Sequence, residues 1–197
     1  MKNKKVIIFA TGNYGKLNEV KTMLNSEDIE VKCLKDFPPI IEPEETGKTF
    51  FENASIKAKY YYDYLKCPVL CDDSGLVVDA LNGEPGVYSA RYAGIDENRD
   101  FENIKKLLSN LKGVNNRNAH FNCTMVYYNG SEYFTTEGIL DGRIIDTPKG
   151  NNGFGYDPIF VPNGSIQTLA ELNQNQKNEI SHRHNALIKM VDILKSH

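Results

Sequence analysis

No apolar run in this sequence comes near the roughly 18 consecutive residues that a membrane-spanning helix needs, so we expect no membrane partner. Neither charge dominates, since 26 acidic and 23 basic side chains give a net charge of −3. Proteins that coat polymeric nucleic acid typically have an excess of basic side chains, which this sequence lacks. We therefore expect no polymeric nucleic acid as a partner. The lysine-rich start is followed by only five apolar residues, Val6 to Ala10, which is too short for a signal peptide.

Cysteine is also scarce. The four cysteines, at positions 33, 67, 71 and 123, include no pair of C-x-x-C motifs and no disulfide framework. We interpret them as reduced thiols of a cytoplasmic protein that pack mostly as small hydrophobic residues. The spacing between Cys67 and Cys71 is a weak indication of zinc, because no histidine lies nearby.

What is present is typical of a soluble globular protein. The chain has 197 residues, of which 40% are hydrophobic and 25% charged. That length allows one domain with a full core, or two lobes that share one sheet. Repeats, low-complexity segments and linkers are absent from the sequence. We therefore expect one compact domain.

One apolar, β-branched segment carries two adjacent carboxylates. The run from Val69 to Val78 predicts a buried strand, with Asp72 and Asp73 in its middle. An ionised carboxylate in a dry interior costs on the order of several kcal/mol unless a cation or hydrogen-bond donors compensate it. Neighbours on a strand point to opposite faces, so both acids can face one pocket only if the backbone turns, which Ser74-Gly75 could do. Two interpretations stay open: a divalent-cation site at a strand end, or a loop with both acids in solvent.

A strand, a glycine-containing turn and a helix are predicted near the start of the chain. Residues 6–10 predict a strand buried on both faces, and apolar residues with helical spacing begin at Leu17. The turn between them ends in Lys16. Free N–H groups at a helix start, together with a lysine, can bind a phosphate. The pattern is neither a Walker A loop nor G-x-G-x-x-G, so an ordinary helix cap with an incidental lysine is an equal alternative.

The next predicted helix has an unusual polar pair. It begins with the capping box Thr49-x-x-Glu52 and runs to about Leu65. Asn53 and Lys57 flank its apolar stripe rather than lying on its polar face. A lysine at such a position either extends along its stem into solvent or points at an anion.

Further strands and helices follow. Residues 121–128 and 132–136, joined by the turn Asn129-Gly130, alternate as antiparallel strands, and another strand is predicted over 138–145. A helix is predicted over 101–111 and closes at Gly113. Parallel and antiparallel strands together predict a mixed sheet.

Two late segments carry rings and cations that a ligand could use. Residues 149–158 form a Gly/Asn-rich loop with two aromatic rings, which is typical either of a site for a flat ligand or of a surface connection. Ser181 can cap a last helix, which places His182 and Arg183 in its first turn. Cations are misplaced at that end of a helix unless an anion binds there.

Seven motifs, in order over nearly the whole chain, closely resemble the inosine triphosphate pyrophosphatase family. They are TGNYGK at 11–16, EETG at 44–47, ENA at 52–54, DDSGL at 72–76, PGVYSAR at 85–91, GFGYDP at 153–158 and ISHR at 180–183. The resemblance implies an elongated α/β fold, with a mixed β-sheet flanked by helices and two lobes around a central cleft. Residues 1–197 would form a single catalytic domain.

The resemblance also implies an activity. Members of the family hydrolyse non-canonical purine nucleoside triphosphates, with ITP, dITP and XTP preferred, to the monophosphate and pyrophosphate. Mg²⁺ is the implied cofactor, and a cytoplasmic homodimer is the implied state.

Residue roles follow from the same resemblance. Glu44 and Asp73 are the implied Mg²⁺ ligands, and Asp73 is also the base that activates water. Glu45 and Asp72 complete the acidic cluster. The implied phosphate-binding residues are Thr11, Gly12, Asn13, Tyr14, Gly15, Lys16 and Lys57. The implied remaining substrate-binding residues are Ser74, the loop residues Phe154, Gly155, Tyr156 and Asp157, and the donors Lys177, His182 and Arg183.

Two other classes of function compete with this one. A phosphatase with an aspartate nucleophile uses acids two residues apart, whereas Asp72 and Asp73 are adjacent. A nucleotide sensor would bind ITP without turnover, and the complete set of acids argues against it.

Overall fold

The computed structural model describes residues 5–12, 14–24 and 29–196, except for the side chains of Tyr14 and Glu19. The phosphate-binding role expected of Asn13 therefore falls outside the described residues, as does that of the Tyr14 side chain. Within the described ranges, no helix combines the length and the apolar character that crossing a membrane requires.

The described chain alternates strands and helices in its first half and gathers strands before helices in its second. The strands are β1 (Lys5–Phe9), β2 (Ile29–Cys33), β3 (Val69–Val78), β4 (Asn118–Tyr128), β5 (Tyr133–Ile144) and β6 (Phe160–Pro162). The helices are α1 (Tyr14–Leu24), α2 (Phe50–Leu65), α3 (Arg99–Asn110), α4 (Gln174–Ile180) and α5 (His182–Ser196).

The six strands form one sheet in the order β2-β1-β3-β4-β5-β6. Strand β1 pairs in parallel with both β2 and β3, whereas β5 and β6 are antiparallel. The mixed sheet with flanking helices predicted from the sequence is therefore confirmed. Phe9, the last residue of β1, is paired with Leu70 near the start of β3, so β1 ends just before the level of Asp72.

The contacts divide the chain into two compact units. Unit 1 comprises residues 1–73, 123–138 and 184–197, and unit 2 comprises residues 74–122 and 139–183. Strands β3, β4 and β5 each contribute residues to both units. The boundary in β3 falls directly after Asp73.

Unit 1 has helices on both faces of its part of the sheet. Ile7 and Phe9 of β1 pack with apolar residues of α1 and α5. Ile8 and Ala10 pack on the other side, with Ala54 and other residues of α2. This alternation explains the continuous apolar run of β1, because a strand covered on both faces needs apolar residues at every position.

Unit 2 has one core cluster of its own. It joins Leu76 and Val78 of β3 to Leu107 of α3, Phe121 of β4 and Phe160 of β6. The amphipathic spacing predicted for the helix over 101–111 matches this packing, since Ile104, Leu107 and Leu111 are buried.

Two local predictions were wrong. No turn forms at Ser74-Gly75, because Val69–Val78 runs as one strand. The strands predicted separately over 132–136 and 138–145 are one strand, β5, whose residue Gly138 continues the ladder. Glycine weakens a strand through entropy but does not end it when its neighbours pair on both sides.

Candidate active site

The acid pair of β3 is buried, and its two members face different helices. Asp72 is 3% and Asp73 7% exposed, so the interpretation of two solvated acids is wrong. Leu70 packs in the cluster of α1 and α5, and Cys71 in the cluster of α2. Strand alternation therefore places Asp72 on the α1 side and Asp73 on the α2 side.

Lys16, in the first turn of α1, pairs with Asp72. Its Nζ lies 2.7 Å from Asp72 Oδ2 and donates a hydrogen bond to it. The thiol of Cys123 on β4 lies 4.0 Å from the same oxygen. The lysine of the predicted phosphate turn thus contacts one member of the acid pair, and its phosphate-binding role stays a prediction.

Lys57 joins two acids on the other side. Its Nζ lies 2.7 Å from Glu45 Oε1 and 3.4 Å from Asp73 Oδ1. Thr49 caps α2 by accepting a hydrogen bond from the Glu52 backbone N–H, so the helix begins where the sequence predicted. The sequence allowed Lys57 either to point at an anion or to extend into solvent. The structure shows the first, with the carboxylates of Glu45 and Asp73 as the anions.

The surroundings of Asp73 and Lys57 raise the pKa values of both groups. Burial raises the pKa of Asp73 above its ordinary range, and the charge of Glu45 adds to this against the opposing charge of Lys57. Burial alone would lower the pKa of Lys57, but the charges of Asp73, Asp72 and Glu45 outweigh burial and raise it. Lys57 is therefore charged at neutral pH, whereas burial disfavours the ionised form of Asp73.

The carboxylates fit a metal of the Mg²⁺ type. Glu44 is exposed next to Glu45, whose carboxylate shares Lys57 with Asp73. Over the ranges 5–12, 14–24 and 29–196, no group of three or more His, Cys, Asp or Glu side chains gathers in a way that could hold a metal alone. Mg²⁺ typically takes one or two carboxylates and completes its shell with water and substrate phosphates. The implied ligands Glu44 and Asp73 would be sufficient in number for that mode, whereas a site built from protein ligands only would need more of them.

The loop between β5 and β6 is organised by Asp157. Its Oδ2 accepts hydrogen bonds from the Phe154 backbone N–H at 2.9 Å and from Lys177 Nζ at 2.6 Å. The same Nζ lies 4.4 Å from the centroid of the Phe154 ring, which is 43% exposed. A Cβ at position 153 would collide with Asp157. Gly153 also has a φ of 76°, which favours glycine. The loop therefore presents one accessible ring with a buried lysine beneath it.

Two contacts that the sequence did not indicate support this loop. The Gly155 backbone N–H donates to Asp100 Oδ2 at 2.7 Å. Tyr156 is buried, and its hydroxyl donates to the Ser89 carbonyl at 2.9 Å. The Tyr156 ring thus packs in the core of unit 2, while Phe154 is the ring that solvent can reach.

His182 and Arg183 begin α5, as predicted, and both are buried. The His182 ring stacks on Phe121, with centroids 4.9 Å apart and an interplanar angle of 13°. Arg183 Nη2 lies 3.4 Å from Ser74 Oγ.

The predicted site residues divide by unit. Among the described residues, all those expected to act on phosphate or metal belong to unit 1, namely Thr11, Gly12, residues 14–16, Glu44, Glu45, Lys57, Asp72 and Asp73. Those expected to bind the rest of the substrate belong to unit 2, namely Ser74, residues 154–157, Lys177, His182 and Arg183. Sequence reasoning missed Asp100, because its contact with Gly155 joins residues 55 positions apart and leaves no periodic signal.

Comparison with known proteins agrees with this chemistry. The model of the Ham1 family matches residues 7–193. A protein from Aquifex aeolicus named dITP/XTP pyrophosphatase is 47% identical over 198 residues, covering 96% of each chain. A protein of the same name from Bacillus licheniformis is 49% identical over 193 residues, covering 96% of this chain and 98% of its own.

A solved structure of a HAM1 protein from Coxiella burnetii matches with a TM-score of 0.91 at 38% identity, covering 98% of this chain and 100% of that one. The family resemblance found in the seven motifs is confirmed by these matches. This chain belongs to the Ham1 family.

Proposed function

We propose that this protein hydrolyses non-canonical purine nucleoside triphosphates, namely ITP, dITP and XTP, to the nucleoside monophosphate and pyrophosphate. The observation that carries the proposal is the bridge formed by Lys57 between Glu45 and Asp73. It joins acids from two distant segments next to the Lys16–Asp72 pair. Relatives 47% and 49% identical over nearly the full chain are named dITP/XTP pyrophosphatases, which supports the same activity here.

Residues of unit 1 are assigned to the triphosphate. Lys16 and Lys57 neutralise phosphate oxygens, and the N-terminal turn of α1 adds backbone N–H donors. Asp73 accepts the proton of a water molecule, whose oxygen attacks the α-phosphorus. The bond from that phosphorus to the bridging oxygen breaks, and pyrophosphate leaves. Single-domain action of residues 1–197 is part of the proposal, because β3 links the two assigned residue sets covalently.

Mg²⁺ is the proposed cofactor, with Glu44 and Asp73 as the residues that would hold it. When bound, such an ion neutralises phosphate charge and polarises the scissile bond. A bound divalent ion would favour the ionised form of Asp73, which burial disfavours first and the charge of Glu45 disfavours further.

Residues of unit 2 are assigned to the purine. The exposed Phe154 ring offers a stacking surface, and Lys177, His182 and Arg183 are donors. A 6-keto purine offers a hydrogen-bond acceptor at the position where adenine offers an amino donor. In a site lined with donors, the adenine amino group therefore faces another donor and forms no hydrogen bond. An ammonium carries three N–H donors, so Lys177 can hold Asp157 and still donate to a keto oxygen.

Replacing Lys177 with Met is expected to reduce discrimination between bases. The kcat/KM for ITP should fall roughly 10- to 100-fold, because a charged hydrogen bond is lost, while the low value for ATP changes little. Lys105→Met is the control, since Lys105 forms an exposed pair with Glu102 in the same unit. An unchanged ITP-to-ATP ratio in Lys177→Met would remove Lys177 from base recognition.

We propose a cytoplasmic homodimer as the state of the protein in the cell. A cytoplasmic location suits the four free thiols, since reducing compartments keep cysteines unpaired. The homodimer is proposed from the family resemblance, and sedimentation analysis of the purified protein tests it.

The direct test is a product assay across ITP, XTP, GTP and ATP, with Mg²⁺ or with EDTA. We expect pyrophosphate and the monophosphate from ITP and XTP, much slower turnover of ATP, and no turnover with EDTA. Inorganic phosphate together with a phosphoaspartyl enzyme would instead indicate the phosphatase class. Binding of ITP without any product would indicate a sensor.

A further inference from the structure

Asn53 on α2 has no exposed surface and uses both ends of its amide. Its Oδ1 accepts a hydrogen bond from the Gly47 backbone N–H at 2.8 Å. Its Nδ2 donates to Asp73 Oδ2 at 3.2 Å. One neutral side chain therefore connects the loop that carries Glu44 and Glu45 to the proposed base.

Lys57, one helical turn further along α2, connects the same two segments by charge. Its Nζ contacts Glu45 Oε1 and Asp73 Oδ1. The two oxygens of Asp73 thus have different partners on α2, with Oδ1 beside Lys57 and Oδ2 beside Asn53. Residues four apart share a helix face, so α2 presents both partners to Asp73 from one side.

The close approach of Gly47 supports the same arrangement independently. A Cβ at position 47 would lie 2.6 Å from Asn53 Oδ1 and 2.6 Å from Glu52 Cβ. Only glycine lets the loop backbone reach the amide at hydrogen-bond distance. The absence of a side chain at Gly47 therefore allows the loop to pack against Asn53 in the first turns of α2.

We propose that Asn53 is a positioning residue, whose amide fixes the rotation of the Asp73 carboxylate and the distance of the acidic loop from it. This inference rests on the base role of Asp73 in the proposed function. The terminal torsion of an aspartate is soft, so Lys57 alone leaves Oδ2 free to rotate. A base that must meet one water in a fixed direction loses rate when its orientation is not held.

Two variants of nearly the same shape separate the two hydrogen bonds. Asn53→Leu removes both, whereas Asn53→Asp keeps the acceptor for Gly47 and replaces the donor to Asp73 with a negative charge. The assays are repeated from about pH 7 to about pH 9, because the introduced carboxyl can donate to Asp73 only while it holds its proton. In both variants we expect kcat for ITP to fall roughly 10- to 100-fold while KM changes less than about threefold, because a hydrogen bond to a charged group is lost.

Thr136→Val is the matched control for stability. Thr136 is also buried in unit 1 and donates to the Ala186 carbonyl at 2.9 Å, within the core that includes α5. Its loss should lower the melting temperature without changing kcat. A kcat loss as large in Thr136→Val as in Asn53→Asp would mean that the Asn53 effect is only destabilisation.

Amide hydrogen exchange at Gly47 gives a readout without substrate. Protection of the Gly47 N–H should persist in Asn53→Asp and disappear in Asn53→Leu. Native kcat in Asn53→Asp, or in both variants, would overturn the positioning role while ITP hydrolysis by the native protein still stands. Failure of the native protein to hydrolyse ITP would overturn the proposed function itself, and exchange at Gly47 would still report whether the amide holds the loop.

Discussion

Replacing Asp73 with Asn is expected to lower kcat for ITP hydrolysis by roughly 10²- to 10⁴-fold, the range that a positioned general base contributes. The amide has nearly the shape of the carboxylate but cannot accept a proton from water. Nucleotide binding should change little, because Lys16 and Lys57 keep their charges. Steady-state pyrophosphate release gives kcat, and titration of the variant with ITP gives the dissociation constant.

Asp63→Asn is the control for this substitution. Asp63 is an exposed carboxylate on α2 that pairs with Lys59 at 2.6 Å. Exposed ion pairs contribute little to stability, so the substitution should leave the fold intact. The kcat should then stay within about twofold of the native value. Native turnover in Asp73→Asn would remove Asp73 from the base role.

The same Asp73→Asn variant is expected to melt at a higher temperature than the native protein when no metal is present. Burial raises the pKa of Asp73, so the folded protein holds its proton to higher pH than the unfolded chain does. An acid whose pKa is higher in the folded than in the unfolded state destabilises the fold once it is ionised. The difference in melting temperature should be small near pH 4, close to the ordinary aspartate pKa of about 3.9, and should widen toward pH 8.

Lys57→Met is expected to lower kcat/KM for ITP by roughly 10²- to 10³-fold, comparable to the loss of one preorganised donor to a developing negative charge. Methionine keeps most of the length of the stem, so the change removes charge more than volume. The variant leaves Glu45 and Asp73 without the cation between them, and they then repel both each other and a triphosphate. Kinetics with ITP and a titration with pyrophosphate measure the two effects.

The Lys57→Met variant should also be less stable. Breaking a buried ion pair costs about 3–5 kcal/mol, and the partial exposure of Glu45 places the cost near the lower end. For a chain of this size, that corresponds to a fall of about 6–12 °C in melting temperature. Lys59→Met, two residues along the same helix in an exposed pair, should change neither activity nor stability appreciably. Equal activity in the two variants would contradict the phosphate role of Lys57.

Local patterns were enough to predict the elements that carry the proposed chemistry. The apolar run of β3 predicted a buried strand, and the helical period of α2 placed Asn53 and Lys57 beside its apolar stripe. Both predictions depend on short-range periodicity, which a sequence displays directly. The sequence left two outcomes open for Lys57, solvent or an anion, and its contacts with Glu45 and Asp73 correspond to the second.

Contacts between distant segments could not be predicted in the same way. A turn at Ser74-Gly75 was considered only as the condition for both acids to share one pocket. Alternation along β3 instead gives each acid its own lysine, Lys16 or Lys57. Recognising this requires knowing that α1 and α2 cover opposite faces of the sheet. The support of Gly155 by Asp100 likewise depends on tertiary packing of α3.

Hydrolysis of ITP in water enriched in oxygen-18 tests most directly whether the acid and lysine cluster activates water against the α-phosphorus. Mass spectrometry of the products after one turnover locates the label. The account predicts one labelled oxygen in the monophosphate and none in pyrophosphate. Label in pyrophosphate, or in inorganic phosphate, would mean attack at another phosphorus and would contradict the account.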